Sequence, residues 1–146
     1  MKRFFLILAC VLFVGCSTNE GRSYSPPPPP PEGKVLVYLM RTNVVYGGAY
    51  PTVFFVNDSA VTEMKDWGYS WVYVSPGAHK FSAGRSSKGV SFSIFVAPGR
   101  DYFVEYSQEN TGYQSYVERI REVEPAVGKA MIGKYTYREE GSRFIF

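Results

Sequence analysis

One histidine, two cysteines and a scatter of serines and carboxylates are all that this 146-residue chain offers for chemistry. The histidine, His79, stands two residues after Pro76-Gly77. A transition-metal site normally needs three or four His, Cys or carboxylate ligands. No second histidine exists and both cysteines, Cys10 and Cys16, lie at the extreme N-terminus. His79 therefore reads as a strand-start residue that bonds the hairpin or faces water, and no metal or cofactor is expected. Ser82, Ser86, Ser87, Ser91 and Ser93 lack the Gly-x-Ser-x-Gly elbow that activates a nucleophile. The run Gly84-Arg85-Ser86-Ser87-Lys88-Gly89 has the glycines and cations of an anion cradle. It lacks Gly-Lys-Ser/Thr and a following helix, so it reads as a solvated hairpin loop. Asp101 and Glu105, four apart, share one face of a strand. Paired carboxylates serve glycosidases, but a small two-sheet domain offers no obvious cleft for them. No catalytic activity is expected.

The aromatic residues say more. Tyr69, Trp71 and Tyr73 recur at spacing two and so share one face of a strand, opposite Ser70, Val72 and Val74. Facing outward, they form a candidate binding surface, a ribbon on which sugar rings or a protein partner could stack. Facing inward, they are core, and both faces can be core only if the strand is covered twice. Tyr102, Val104 and Tyr106 pose the same alternative.

The elements that must position these residues are strands. Aromatics reach 17%, hydrophobics 45% and charged residues 20%, proportions of a folded domain rich in residues suited to pleated surfaces. Short apolar runs separated by turn signals begin at Gly33. Strands are predicted over Lys34 to Met40, Pro51 to Asn57, Ala60 to Met64, Ser70 to Ser75, His79 to Ala83, Val90 to Val96, Tyr102 to Ser107 and Ser115 to Glu122. Val90, Phe92 and Ile94 alternate with Ser91 and Ser93, one side for core and one for water. Val35 to Met40 is apolar on both faces and belongs centrally. Pro125 to Met131 predicts a short helical turn, with Gly128 against anything longer. Lys134 to Arg138 could add a last strand, and Phe144 to Phe146 an apolar tail. Asn57-Asp58, Pro76-Gly77 and Pro98-Gly99 are turn dipeptides. The two Pro-Gly steps share a strand–turn–strand form and predict type II hairpin turns.

The N-terminus gives the location. Lys2 and Arg3 precede an apolar run from Phe4 to Val14, too short for a bilayer span and right for a secretory signal. Leu12-Phe13-Val14-Gly15-Cys16 resembles a bacterial lipobox, which implies cleavage before Cys16 and acylation of that cysteine. Ser17 after it implies the outer membrane, facing the periplasm. Without Lys2 and Arg3 the net charge falls from +3 to +1, too little for a nucleic-acid binder. Residues 1–15 are thus expected as signal peptide, 16–32 as lipidated cysteine plus linker, 33–138 as the domain and 139–146 as a tail. Pro26 to Pro31 can only be polyproline II, a rod of about 19 Å expected to act as a spacer, the alternative being a docking peptide for a proline-reading module.

Gly33-Lys34-Val35-Leu36-Val37-Tyr38 with Arg41, Val53 to Asp58, Ser75-Pro76-Gly77-Ala78-His79 and Ala97-Pro98-Gly99-Arg100-Asp101-Tyr102-Phe103 follow a recognisable order. It resembles a domain-of-unknown-function family found in bacterial lipoproteins, with a Pro-Gly-x-His hairpin similar to that of PEGA domains. The resemblance spans about Gly33 to Ala130, including Gly128-Lys129-Ala130. It implies an all-β fold, a small antiparallel β-sandwich of PEGA-like or immunoglobulin-like kind on a membrane anchor, and transfers no catalytic residue. The function expected is a non-catalytic interaction or scaffold domain, held on the membrane by its lipid and engaging another envelope protein. The alternative is a module for cell-wall glycan, using Tyr69, Trp71 and Tyr73.

Overall fold

The structure, a computed structural model, describes residues 24, 26–42, 44, 50–113, 115–137 and 146. The expected signal peptide, Cys16 and most of the 139–146 tail lie outside the described residues. Those described form an all-β sandwich in the order β1 (Val35–Arg41), β2 (Thr52–Val56), β3 (Ser59–Met64), β4 (Gly68–Val74), β5 (Gly77–Gly84), β6 (Val90–Val96), β7 (Tyr102–Gly112), β8 (Ser115–Val123), α1 (Pro125–Ile132) and β9 (Thr136–Tyr137). One sheet has the order β8-β7-β1-β4-β9 and the other β3-β2-β5-β6. No helix among the described residues is long and apolar enough to cross a membrane.

The sandwich is not wholly antiparallel as expected. β1 runs parallel to β7, with Val37 opposite Tyr102, and β4 runs parallel to β9. The cause lies in the two Pro-Gly steps, which are not hairpin turns. β4 pairs with β1, whereas β5 pairs with β2 and β6, so Ser75-Pro76 carries the chain from one sheet to the other. Ala97 to Asp101 carries it back and delivers β7 beside β1 from the end where β1 begins. Gly99, at φ 94°, is near the type II position, but Gly77 at φ 142° is not. True hairpins occur elsewhere. Asn57 and Asp58 have φ of 49° and 67°, the paired positive values of a two-residue type I′ turn between β2 and β3.

Polar side chains fix both crossings. His79 Nε2 donates to the Ser75 carbonyl at 2.8 Å and its Nδ1 accepts from Asn57 Nδ2 at 3.0 Å, so one ring ties the first crossing to the β2–β3 turn. At the second, the Tyr102 hydroxyl accepts from the Ala97 N–H at 2.8 Å, and the Arg100 guanidinium lies 4.1 Å over the Tyr102 ring. Arg41 secures a third crossing, from β3 to β4. Its guanidinium donates to the carbonyls of Tyr50 and Met64 and pairs with Asp66 at 3.0 Å, while only 1% of the residue is exposed.

Alternation along β1 sends Val35, Val37 and Leu39 into the core between the sheets. Leu36, Tyr38 and Met40 enter a second core on the outer face of the five-stranded sheet. That outer face is covered by α1, by Tyr135 and by Tyr137 of β9. Phe103 stacks on Tyr38 at 4.7 Å and 7°, and α1 crosses Phe103 at Gly128. A Cβ on residue 128 would overlap the Phe103 ring, so glycine here permits close approach. The helix runs one residue past the expected turn because this packing outweighs the poor helix propensity of Gly128. Gly128→Ala should destabilise the fold by about 1–3 kcal/mol, read as a lower thermal midpoint. Adding Phe103→Leu should recover part of that loss, and an unchanged midpoint in the single variant would contradict the close packing.

Candidate functional site

The residues weighed for chemistry are held apart. Glu105 lies within β7 and Asp101 just before it, about 13 Å apart by strand spacing, with Phe103 between them and α1 packed on Phe103. Glu105 is 5% exposed and accepts from Arg121 Nε at 3.0 Å, whereas Asp101 borders a separate cleft with Lys34, Arg100 and Lys129. Both ring nitrogens of His79 are engaged as described. Ser82 is sealed from solvent. The run from Gly84 to Gly89 closes the β5–β6 hairpin through a Gly89 N–H bond to the Ser86 carbonyl, and a strand follows it. Among the described residues no three His, Cys, Asp or Glu side chains gather to hold a metal ion.

The aromatic ribbon is also not an open surface. Tyr69, Trp71 and Tyr73 are 0%, 3% and 6% exposed. Both faces of β4 are core because the strand is covered twice, by the four-stranded sheet on one side and by the second core on the other. Tyr137 stacks on Trp71 at 4.3 Å and 12°, leaving no ring face open for a sugar. Tyr102, Val104 and Tyr106 likewise enter the core between the sheets.

An open apolar surface lies beside α1. An open groove of about 690 Å³ runs between the helix residues Ala126, Val127, Ala130 and Met131 and an opposite wall of Trp67 and Tyr135. Pro125 starts the helix at its first turn, Gly128 and Ile132 anchor its inner face, and Val127 is left 51% exposed on the outer one. The opposite wall is set by β9: the Thr136 N–H donates to the Trp67 carbonyl at 2.7 Å, and Trp67 meets the Tyr135 ring edge-on at 5.4 Å. Among the described residues, Lys134 is the one charged side chain that lines the groove.

Trp67 is the unusual member. It sits in the β3–β4 crossing with φ 57°, a left-handed conformation that costs a bulky residue on the order of 1–3 kcal/mol. Yet it remains 50% exposed, so little burial offsets that cost. Sequence reading passed over it, since Asp66-Trp67-Gly68 shows only a tryptophan between turn residues. The strain depends on a crossing that no local signal reveals.

Residues 31–118 match the family described as Protein of unknown function (DUF2846), more than half of the chain. The chain belongs to the DUF2846 family. No curated protein and no solved structure matches it. The DUF2846 match ends short of α1, so Gly128-Lys129-Ala130 and the helix wall of the groove lie outside it, while Trp67 lies within.

Two measurements follow from the buried and exposed rings. Burial, with a smaller contribution from Glu105, pushes the Tyr135 hydroxyl up to about 12. Burial and then the hydrogen bond to Glu118 push Tyr106 up to about 12. A raised pKa favours the protonated folded state, so these groups contribute fully below about pH 10 and lose that contribution as pH rises towards about 12. Thermal midpoints should fall across that window, and Tyr106→Phe should flatten the fall. A midpoint independent of pH there would exclude these burials. Iodide should quench the Trp67 fluorescence and spare that of Trp71. Trp67→Phe should leave a blue, unquenched emission, and a quenchable residue would place Trp71 in solvent.

Proposed function

We propose that this DUF2846 chain is a lipid-anchored envelope protein whose domain is a non-catalytic adapter, gripping another envelope protein in the groove between α1 and Trp67. The observation that carries this reading is Trp67. A large aromatic side chain is held half in solvent on a strained backbone, against a helix face of Ala126, Val127 and Ala130. Strain kept at a surface aromatic favours a binding role, and half-exposed tryptophans are common anchors of protein contacts.

Anchoring through Cys16 rests on the lipobox-like Leu12 to Cys16, and outer-membrane placement facing the periplasm rests on Ser17. Acyl chains would confine the domain to the membrane, where the raised effective concentration lets a modest groove contact suffice. The engagement of both His79 nitrogens and the separation of Asp101 from Glu105 support a role without catalysis.

A photoreactive residue at Val127, irradiated in living cells, tests the reading against one at Ser93, which is exposed on β6 of the other sheet. One envelope protein should crosslink from position 127 and not from 93, and Trp67→Ala should abolish the product while the fold persists. Cys16→Ala should abolish both fatty-acid labelling and the crosslink. Equal crosslinking from both positions, or none from 127, would overturn the groove as the contact. Unchanged fatty-acid labelling in Cys16→Ala would overturn the anchor.

A further inference from the structure

The proline run does not stand away from the domain as a free spacer. The Tyr73 hydroxyl donates to the Pro28 carbonyl at 2.9 Å, and the Tyr24 ring lies 6.2 Å from that of Tyr69. Tyr24 and Pro28 therefore lie against Tyr69 and Tyr73 in the same order as β4 runs. The geometry is commensurate, since four polyproline II steps span about 12 Å and four strand steps about 13 Å. A polyproline II helix has three residues per turn, so one of its edges is made by positions three apart. Tyr24, Pro27 and Pro30 have that spacing and make the edge towards the domain, with the Pro28 carbonyl turned to Tyr73. Tyr24 lies against Tyr69, Pro27 is half-buried between exposed neighbours, and Pro30 borders a cleft with Val35 and Leu36. Beyond them the Lys34 N–H closes a turn on the Pro31 carbonyl and leads into β1.

We infer that the aromatic edge formed by Tyr69, Trp71 and Tyr73 is a polyproline-reading site, occupied in cis by Pro26 to Pro31 and exchangeable with a proline-rich segment of a second copy of this chain. The chemistry is what such recognition requires. Prolines lack an N–H, so their carbonyls need outside donors, and their stiff helix loses little entropy when it docks on aromatic rings. Tyr73 supplies one donor. Trp71 places a second N–H in the middle of the strip, where it faces the Tyr73 hydroxyl. The exposure of Pro26 and Pro28 to Pro31 leaves the resident segment attached by few contacts, as exchange demands. The inference is independent of the α1 groove. Its prolines precede or just reach the start of the DUF2846 match, so it concerns this chain's own sequence.

The full chain in detergent, with carbon-labelled proline, provides the first test. Ring currents should shift Pro27 signals upfield, and Tyr73→Phe should return them towards random-coil positions. The absence of such shifts in the unaltered chain would overturn the site. The second test uses a fluorescent hexaproline peptide and the full chain with Pro26 to Pro31 replaced by alternating Gly and Ser. That variant should bind the peptide and the unaltered chain should bind at least tenfold more weakly, because its site is already filled. Tyr73→Phe in the Gly/Ser background should weaken binding about three- to tenfold, the loss of one hydrogen bond. Upfield shifts without peptide binding by the Gly/Ser variant would overturn exchange and leave a fixed packing contact.

Discussion

Every residue of β1 and of β4 is buried, and these two neighbouring strands occupy the middle of the five-stranded sheet. A strand that is apolar on both faces must be covered on both, or it leaves a wide hydrophobic surface in water. The four-stranded sheet meets one requirement. The other is met piecemeal by α1, by the short β9 and, along β4, by the proline segment. Their positions follow from that requirement: Gly128 lets the helix sit down on Phe103, and Tyr137 closes over Trp71. Phe146 extends the same logic, its backbone bonding Tyr73 on β4 and Ser75 just after it while its side chain packs on the core between the sheets.

Sealing a sheet on two sides leaves the crossings between sheets as the polar parts of the fold. A buried backbone polar group needs a partner, and at these corners side chains supply it. His79 serves one corner, Tyr102 a second and Arg41 a third. Each is a residue type often associated with chemistry, and each is here spent on holding the path of the chain. The β3–β4 corner that Arg41 and Asp66 stabilise is also the one that turns Trp67 outward. The groove therefore depends on an ion pair whose two members immediately precede Thr42 and Trp67 in its wall.

Much of this was legible in the sequence because strands are local. The eight long strands lie where period-two alternation and turn residues place them, with Val90–Val96 agreeing at both ends. What escaped was relational. A Pro-Gly step reads the same whether the next strand returns beside the last or leaves for another sheet, so the two crossings resembled hairpins. Spacing of two puts Tyr69, Trp71 and Tyr73 on one side but cannot name that side, since the cover comes from residues before β1 and after β8. The proline run reads as a rod for a similar reason. Its conformation is written in its composition, but its docking depends on a hydroxyl at Tyr73, far along the chain. Arg41 was visible only as the polar end of an apolar run, and nothing local says that such a charge is interior.

The parallel pairing of β1 with β7 also sets the order in which the molecule can form. Val37 meets Tyr102 only after six strands have been made, so the central strand waits for a partner remote in sequence. Contacts of such long sequence separation slow folding, because loop closure must precede any gain from pairing. In the interval Val35-Leu36-Val37-Tyr38-Leu39-Met40 is an uncharged, β-prone segment with no proline, the kind that pairs with other chains. The antiparallel strand β4, nearer in sequence and matched residue for residue from Val35 to Arg41, is the natural first shield for it. A nascent chain of this design is thus most vulnerable to aggregation between the emergence of β1 and the arrival of β4.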